Sequence, residues 1–303
     1  MSTRTSAVRR ALALALSLSV AGPAVPVEAA ELKPRTVEAF NEYRAAVEAR
    51  IDRELGSNRG FLGIDFDNPA EAASIRTRVR KGEVYVARLA ARGRDAEDIN
   101  VPDGLINHWR GMIFVPDLTV DRAIAELRSP ATGRHQQEDV LESRLLWRDG
   151  DRSRIYRKLM RKKIVTVTYN TEHDVVYEHR GAGRMSSRSI ATRIAELEDA
   201  GTPQEREKPI GQDRGFMWRL NSYWRYEQVP GGVIIELESL TLSRDIPAII
   251  KFIAKPIINS IARESISRTL ESVRSRLTGA VRAGAAFDIA QAGEALGPTG
   301  GQG

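Results

Sequence analysis

The pattern of polar and apolar positions first defines an N-terminal helix. Between Thr36 and Gly56, in a segment rich in Ala, Glu and Arg, apolar residues recur three and four positions apart, at Val37, Phe40, Val47, Ile51 and Leu55. This is the period of an amphipathic α-helix, and glycine is a typical residue at its end. A turn-rich stretch, GSNRGFLGIDFDNPAEA, and a short helical segment then lead to the strand-like run GEVYVARL.

The following runs favour an antiparallel sheet. LINHWRGMIF, residues 105–114, predicts a strand, and VDRAIAELRS predicts a helix after it. Six more strand-like runs follow, with glycines at several joints: VLESRLLW, SRIYRKLMRK, IVTVTYNTEHDVVYEH, RMSSRSIATRIAEL, FMWRLNSYWRYE and GVIIELESLTLS. Because no helix separates these six, hairpins must connect them and the sheet must be antiparallel. The polar segment 197–215 predicts a long exposed hairpin loop.

Residues 216–227, FMWRLNSYWRYE, alternate strongly. The even positions include Phe216, Trp218, Trp224 and Tyr226, whereas the odd positions are mostly polar or charged. Since alternate residues of a strand lie on one face, these four aromatic side chains are predicted to share a face.

The last strand changes its parity. Its apolar residues are odd-numbered up to Leu237 and even-numbered from Leu240. This change predicts a β-bulge near Glu238 and Ser239, which would bend the strand.

Two helices are predicted after the sheet. The shorter has Pro247 in its first turn, and the longer runs from Pro256 to about Leu277. The longer helix carries one apolar stripe, formed by Ile257, Ile261, Ile266, Leu270, Val273 and Leu277. Such a stripe can cover the apolar face of an antiparallel sheet. Residues 278–303 are rich in Gly and Ala and are predicted to form a flexible tail.

This order of elements resembles the START-like, or SRPBCC, superfamily, and especially a group of exported bacterial proteins within it. The resemblance covers roughly residues 80–277 and is carried by INHWRGMIFVPDLTVDRAIAEL, GFMWRLNSYWRYE, and ESLTLSRDIP followed by IARESISRTLESVRSRL. It implies an α+β helix-grip fold, in which a curved antiparallel sheet of about seven strands wraps around a long C-terminal helix, with an additional N-terminal helix. It also implies a cavity between sheet and helix for an apolar or amphipathic molecule. The superfamily shares no catalytic motif, so no catalytic residue follows from the resemblance.

The first 29 residues have the order of a secretory signal peptide. Arg4, Arg9 and Arg10 precede the apolar run ALALALSLSVAG, and small residues follow, which predicts cleavage after Ala29. The run is shorter than the roughly 20 residues of a membrane-spanning helix, and an uncleaved anchor is the alternative. The expected location is therefore periplasmic or secreted. The chain divides into a signal peptide (1–29), a helical extension (30–79), a START-like domain (80–277) and the tail (278–303).

A second strand contributes candidate site residues. In IVTVTYNTEHDVVYEH, the residues Tyr169, Thr171 and His173 share one parity, and the face changes there from aliphatic to polar. Apolar walls with a few polar groups are typical of a ligand pocket, although each wall residue could equally be ordinary core. The candidate ligand-binding residues are Trp109, Tyr169, Thr171, His173, Phe216, Trp218, Trp224, Tyr226, Ile257 and Ile261.

Three functions follow from these patterns. The leading hypothesis is an exported, non-catalytic protein that encloses a hydrophobic small molecule or lipid. The alternative is a cyclase-like or dehydratase-like enzyme that uses His173 and Tyr169 as acid and base on an apolar substrate. A third is an envelope protein that docks a partner through residues 36–55, in which case the apolar stripe of that helix would be exposed.

The residue composition excludes several kinds of site. The chain has no cysteine, which excludes disulfides and thiolate metal sites, and its histidines at 108, 135, 173 and 179 lack a ligand spacing. Neither a GxSxG elbow nor a phosphate-binding glycine loop is present, so we predict no metal and no cofactor.

The net charge of the chain limits which kinds of partner are expected. Cleavage would remove three arginines and one glutamate and lower the formal charge from +6 to +4, a mild excess that does not favour nucleic acid as the partner of an exported protein. The basic run RSRIYRKLMRKK, residues 152–163, is either a solvated face or a peripheral contact with an anionic membrane. Neither the identity of the ligand nor an oligomeric state follows from these patterns.

Overall fold

The structure is a computed structural model that describes residues 30–91, 99–129, 139–162, 166–245 and 248–295, and in the last range the side chains of 259–283. Its elements, in chain order, are α1 (Pro34–Leu55), a 3-10 helix (Gly63–Phe66), α2 (Pro69–Arg80), β1 (Tyr85–Arg88), β2 (Gly104–Pro116), α3 (Val120–Leu127), β3 (Val140–Asp149), β4 (Arg152–Lys162), β5 (Thr166–His179), β6 (Arg184–Glu198), β7 (Arg206–Glu207), β8 (Arg219–Val229), β9 (Gly232–Arg244) and α4 (Ala248–Ala295). The predicted signal peptide, His135 and Pro247 lie outside the described residues.

The strands form one antiparallel sheet. It has nine strands, in the order β1-β2-β9-β8-β6-β5-β4-β3, and β7 pairs with β6 off this path. The predicted α+β class, with its helix-grip arrangement of sheet, C-terminal helix and N-terminal helix, is confirmed. The sheet exceeds the predicted seven strands because β1 adds an edge and because β7 lies within the segment predicted as a loop.

Strand β9 is covered on both faces. It pairs continuously with β2, from Gly104↔Arg244 to Pro116↔Gly232, and with β8 without a register shift. Its odd-numbered residues face α4, on what we call the inner face, and its even-numbered residues face α1, on the outer face. Val233 and Leu240, on opposite faces, are both 0% exposed. The bulge predicted near Glu238 is therefore wrong, because a strand buried on both sides can be apolar at either parity.

Helix α1 covers part of the outer face. Its stripe of Phe40, Tyr43, Val47 and Ile51 is buried in one cluster with residues of β8 and β9. The hypothesis of an exposed docking stripe is therefore wrong. The stripe belongs to the core, where each large side chain removed from water contributes about 1.5–3 kcal/mol.

The outer face also buries a charged cluster beneath the 3-10 helix. Glu236 accepts hydrogen bonds from the main-chain N–H groups of Gly63, at 2.7 Å, and Ile64, at 3.3 Å. Arg110 and Arg225 each place Nε 3.8 Å from a Glu236 carboxylate oxygen. Burial would lower the pKa of Arg110, but the neighbouring carboxylates outweigh this effect and raise it. The charges are therefore compensated within the fold.

A second buried chain of hydrogen bonds joins α1 to the sheet. His108 Nε2 lies 2.7 Å from Glu238 Oε1, and His108 Nδ1 lies 3.0 Å from the Tyr43 hydroxyl. Burial alone would raise the pKa of Glu238, but the hydrogen bond with His108 and the charge of Arg50 outweigh this effect and lower it to about 2. These contacts fix the position of α1 on the outer face.

Helix α4 is continuous from Ala248 to Ala295. The prediction of two helices separated before Pro256 is wrong, and the segment predicted as a tail is helical as far as Ala295. Ile266 and Leu270 are buried against β2, at Gly111. A Cβ on Gly111 would lie only 2.5 Å from Leu270 Cδ1, so the helix approaches the sheet most closely where β2 lacks a side chain.

Candidate functional site

One end of the inner face is a closed core. Ile113, Val115, Val233 and Ile235 are each 0% exposed there and pack in one cluster with residues of α3 and α4. Side chains from two helices fill this end, so we call it the packed half.

The other end of the inner face is built from small polar side chains. Ser189, Ser222 and Ser239 are aligned across β6, β8 and β9, and Trp109 of β2 pairs with Ser239 at the end of this row. We call the three residues the serine row. Since a serine side chain extends much less far than Ile or Leu, the sheet surface is lower here than in the packed half. We call this region the open half.

Some side chains in the open half are accessible although they lie on interior strands, whereas Ser189 and Ser239 are buried. Ser222 and Trp224 of β8, Thr241 of β9 and Asn107 of β2 are only half-buried. On this face the close contacts of α4 are with β1 and β2. The described part of α4 therefore approaches β6 and β8 less closely than β1 and β2, and we call the region of the inner face over β6 and β8 the trough.

The structure brings six of the predicted site residues onto this inner face. Tyr169, Thr171 and His173 of β5 are buried, and Tyr226 stacks on the half-buried Trp224 with ring centroids 6.4 Å apart. Trp109, the sixth, lies across the sheet from them at the β2 end of the serine row. Ile261 is half-buried on α4, and the side chain of Ile257 lies outside the described residues.

Phe216 and Trp218 do not join this set. Strand β8 begins at Arg219, so the alternation does not extend back to either residue. Trp218 packs with Phe40 in the outer-face cluster, and its Nε1 donates a hydrogen bond of 3.0 Å to Asp213. Phe216 is half-buried beside Arg244, whose guanidinium carbon lies 5.3 Å from the ring centroid. The prediction that all four aromatic side chains share one face is wrong for these two.

Among the described residues, several buried polar atoms of the inner face have no hydrogen-bond partner. They are Trp109 Nε1, Tyr169 Oη, His173 Nδ1 and Asn107 Oδ1. A buried polar group without a partner costs roughly 1–3 kcal/mol, so such groups call for a ligand or bound water. Tyr169 and His173 belong to β5, which is next to β6 in the sheet, whereas Trp109 and Asn107 belong to β2.

The hydrogen bonds of His173 define its chemistry. The Thr171 hydroxyl donates to the main-chain carbonyl of Arg157 at 2.9 Å, and His173 Nε2 lies 3.0 Å from that hydroxyl oxygen. Nε2 must therefore carry the hydrogen, which leaves Nδ1 as a free acceptor. Burial and the positive charge of Arg157 lower the pKa of His173 to about 3. The ring is neutral at pH 7, and Nδ1 can accept a hydrogen bond from a ligand hydroxyl or amide.

Sequence reasoning missed Arg157. This residue lies on the inner face of β4, opposite Thr171 of β5. The other cations nearby on β4 have carboxylate partners: Arg154 pairs with Asp174, Lys158 with Glu205 and Arg161 with Asp139. In the sequence, these four basic residues of the run 152–163 could not be told apart by their neighbours. Parity places Arg157 and Arg161 on one face of the strand and Arg154 and Lys158 on the other.

A separate groove of about 540 Å³ lies at the far end of β4 and β5. Lys158 and Thr168 line it, and both have the opposite parity to the inner-face residues. Its basic residues are compensated, because Lys158 pairs with Glu205, and Lys208 and Arg214 both pair with Glu196. The groove therefore differs from the trough in having satisfied charges.

Two further observations concern the described residues as a set. Within them, no three His, Asp or Glu side chains are grouped as metal ligands. None of the helices in the described ranges combines the length and hydropathy needed to cross a membrane.

Comparison with solved structures finds similar chains. The chain is similar to a STAR-related lipid transfer protein fragment from Xanthomonas axonopodis, with 17% identity, a TM-score of 0.41 and coverage of 63% of this chain and 98% of that one. The lipid transfer and protein localization domain of human StarD13 aligns with 8% identity, a TM-score of 0.39 and coverage of 70% and 98%. The Zhui aromatase/cyclase from Streptomyces sp. R1128 aligns with 9% identity, a TM-score of 0.39 and coverage of 57% and 94%.

The first two of these neighbours are named as lipid transfer proteins or domains, and the third is named as an aromatase/cyclase. No protein-family model matches the sequence. No curated protein matches it either.

Proposed function

We propose that this protein binds a hydrophobic or amphipathic small molecule, such as a lipid, in the open half of the inner face, and that it does so without covalent chemistry. The observation that carries the proposal is the accessibility of Ser222 and Trp224, which lie on an interior strand beneath the helix-covered face. A core that served only stability would be closed there, as the packed half is.

The chemistry of the trough supports binding rather than acid–base catalysis. His173 is neutral near pH 7 because its pKa is lowered to about 3, far from the neutral range that suits a general acid or base. Burial raises the pKa of Tyr169, so its hydroxyl keeps its proton. Both side chains are suited to orient a ligand through hydrogen bonds.

We also propose that the protein is exported, with cleavage after Ala29. The position of Ala30 supports this, because its main-chain N–H donates a hydrogen bond of 2.8 Å to Asp213 O. The residue that follows the predicted cut is thus held by the domain. N-terminal sequencing of the protein from a periplasmic fraction tests this step, and an intact N-terminus in the cytoplasm would contradict it.

Ligand binding is tested by extraction and by a neutral apolar probe. Native protein is extracted with solvent for mass spectrometry, and the delipidated protein is titrated with N-phenyl-1-naphthylamine. Wild type should yield a stoichiometric apolar compound or bind the probe saturably. Ser222→Leu should weaken probe binding roughly tenfold or more, because the added methylenes occupy space worth about 0.8 kcal/mol per CH₂ to the probe.

Ser275→Leu is the matched control, since Ser275 is exposed on α4. This variant should bind the probe like wild type. The proposal fails if the extract contains no bound apolar compound and wild type takes up no probe. It also fails if folded Ser222→Leu binds the probe as well as the control does.

A further inference from the structure

We propose that the ligand of the trough is an anionic amphiphile, whose carboxylate or phosphate head is bound by Arg157 while its apolar part occupies the open half. This inference rests on the proposed function and specifies its ligand class. It starts from Arg157, which lies on the inner face of β4 and has no carboxylate partner among the described residues.

Arg157 points to the inner face between two apolar side chains of its own strand. Ile155 and Leu159 are its inner-face neighbours on β4, and Thr171 of β5 is its cross-strand partner. Ile155 packs against the core cluster of the packed half, and Leu159 is only 4% exposed. The charge is therefore set into an apolar wall and not into a solvated surface.

The charges that act on Arg157 come from groups that do not neutralise it. Desolvation lowers its pKa, and the nearby titratable groups are the Tyr177 hydroxyl and the guanidinium of Arg276. No described carboxylate forms an ion pair with it, in contrast to Arg154 on the opposite parity, which pairs with Asp174. A charge withdrawn from water without a partner is costly, so an anion bound at this position would gain an unusually strong contact.

The other arginines near Arg157 have partners of their own, since Arg128 pairs with Asp151 and Arg276 with Glu126. Arg128 lies over the Tyr177 ring, with its guanidinium carbon 4.9 Å from the centroid, and Arg148 also acts on that hydroxyl. Arg276 is held by Glu126 Oε1 at 2.9 Å and by the Ser129 carbonyl at 2.8 Å. These arginines are anchored, whereas Arg157 is not.

The half-buried side chain of Arg157 is also reachable. His173 Nδ1, the free acceptor on the adjacent strand, lies on the same face. An amphiphile with an anionic head could therefore accept hydrogen bonds from the Arg157 fork while a hydroxyl, if present, donates to His173. A guanidinium fork is suited to two oxygens of one carboxylate or phosphate.

The test compares ligands that share a chain and differ in the head group. Delipidated wild type is titrated by calorimetry, below micelle formation, with dodecanoate, dodecyl phosphate, dodecanol and dodecylamine. We expect at least one anion to bind roughly 10-fold to 100-fold more tightly than dodecanol, the range of a charge-assisted hydrogen bond. Dodecylamine should bind more weakly than dodecanol.

Arg157→Gln should remove the preference for the anion and leave dodecanol affinity within about twofold of wild type, because the chain still occupies the trough. Arg152→Gln, an exposed change on the same strand, should keep the preference. Arg157→Lys keeps the positive charge but lacks the two-pronged guanidinium. It replaces Arg157→Gln in this test if the Gln variant does not fold.

The outcomes separate this inference from the proposed function. Equal affinity of wild type for dodecanoate, dodecyl phosphate and dodecanol would overturn the anionic head but leave hydrophobic binding intact. Binding of none of the compounds, including N-phenyl-1-naphthylamine, would overturn both. An anion preference that survives in folded Arg157→Gln would show that another group binds the head.

Discussion

The two faces of the sheet differ in how their charged groups are compensated. On the outer face, Glu236 and Glu238 are 1% and 2% exposed, and each has a partner on the sheet and one from the N-terminal segment. Glu236 lies near Arg110 and accepts a hydrogen bond from Gly63, and Glu238 contacts His108 and Arg50. On the inner face, Arg157 has no carboxylate partner among the described residues, and the buried His173 Nδ1 has no hydrogen-bond donor. The buried carboxylates of the outer face thus have charge partners within the chain, although Glu238 Oε2 and Arg110 Nε have no hydrogen-bond partner among the described residues. The inner face differs in that Arg157 has no carboxylate partner there.

The difference shows what each set of polar groups does. Buried ion pairs add little net stability compared with apolar residues, but breaking one partner away from them is strongly destabilising. The outer cluster thus fixes the N-terminal segment on the sheet in one arrangement. The buried polar groups of the inner face that lack partners lower the free energy of unfolding, and hydrogen bonds to a ligand would offset that loss.

The largest effect is expected on the outer face. Glu236→Gln removes the negative charge between Arg110 and Arg225 and weakens the acceptor for two main-chain N–H groups. We expect a loss of roughly 3–5 kcal/mol in the free energy of unfolding, measured by urea denaturation, with little change in probe affinity for the remaining folded protein.

Glu142→Gln is the control for that change. Glu142 lies on the edge strand β3, and its side chain is 46% exposed in an ion pair with Arg144. Its loss should cost less than about 1 kcal/mol. A loss of similar size in the two variants would show that the outer cluster is not a compensated, buried unit.

An intermediate effect concerns pH and the inner face. The pKa of His173 is 6.5 when unperturbed and about 3 in the folded protein, so between these values the unfolded chain binds the proton and the folded one does not. The titration of His173 therefore lowers the free energy of unfolding as the pH falls below 6.5. Between pH 6.5 and 5 this amounts to about 2 kcal/mol.

His173→Gln should remove that part of the pH dependence, as measured by urea denaturation at both pH values. His179→Gln, an exposed change on the same strand, should retain it. If the His173 variant and wild type lost the same free energy over this interval, His173 would not be held neutral by its surroundings.

The smallest effect is expected for Ser222→Leu, which is compared with Ser186→Leu on the opposite face. Ser186 is 4% exposed on the outer side of β6 and accepts a hydrogen bond of 2.9 Å from Arg180, whereas Ser222 borders the trough. Ser186→Leu should cost about 1–3 kcal/mol in thermal or urea unfolding through overpacking. Ser222→Leu should cost less than about 1 kcal/mol, and a larger cost would indicate that the open half is already filled.

Sequence periodicity predicted the strands and their antiparallel order because both depend on local alternation and connection length. Within β5 it grouped Tyr169, Thr171 and His173, and within β8 it grouped Trp224 and Tyr226; the register puts both groups on the inner face. It misplaced Trp218, because alternation holds only within a strand and β8 begins one residue later.

What alternation did not predict was which face would be covered. Arg225 and Glu236 have the composition of a solvent face, yet α1 and the 3-10 helix bury them. The same coverage explains the parity change in β9 without a bulge. Arg157 could not be singled out, because the lack of a partner depends on residues that are distant in sequence.

The indole signals of the protein report on both faces in one measurement. The chain has four tryptophans: Trp109 and Trp224 on the inner face, Trp218 on the outer face and Trp147 on the edge strand, 43% exposed. In ¹⁵N-labelled delipidated protein titrated with neutral N-phenyl-1-naphthylamine, the Trp109 and Trp224 indole resonances should shift with a common saturation curve, while those of Trp218 and Trp147 stay in place. A shift confined to Trp218 or Trp147, or no shift at any of the four, would contradict a ligand-binding trough on the inner face.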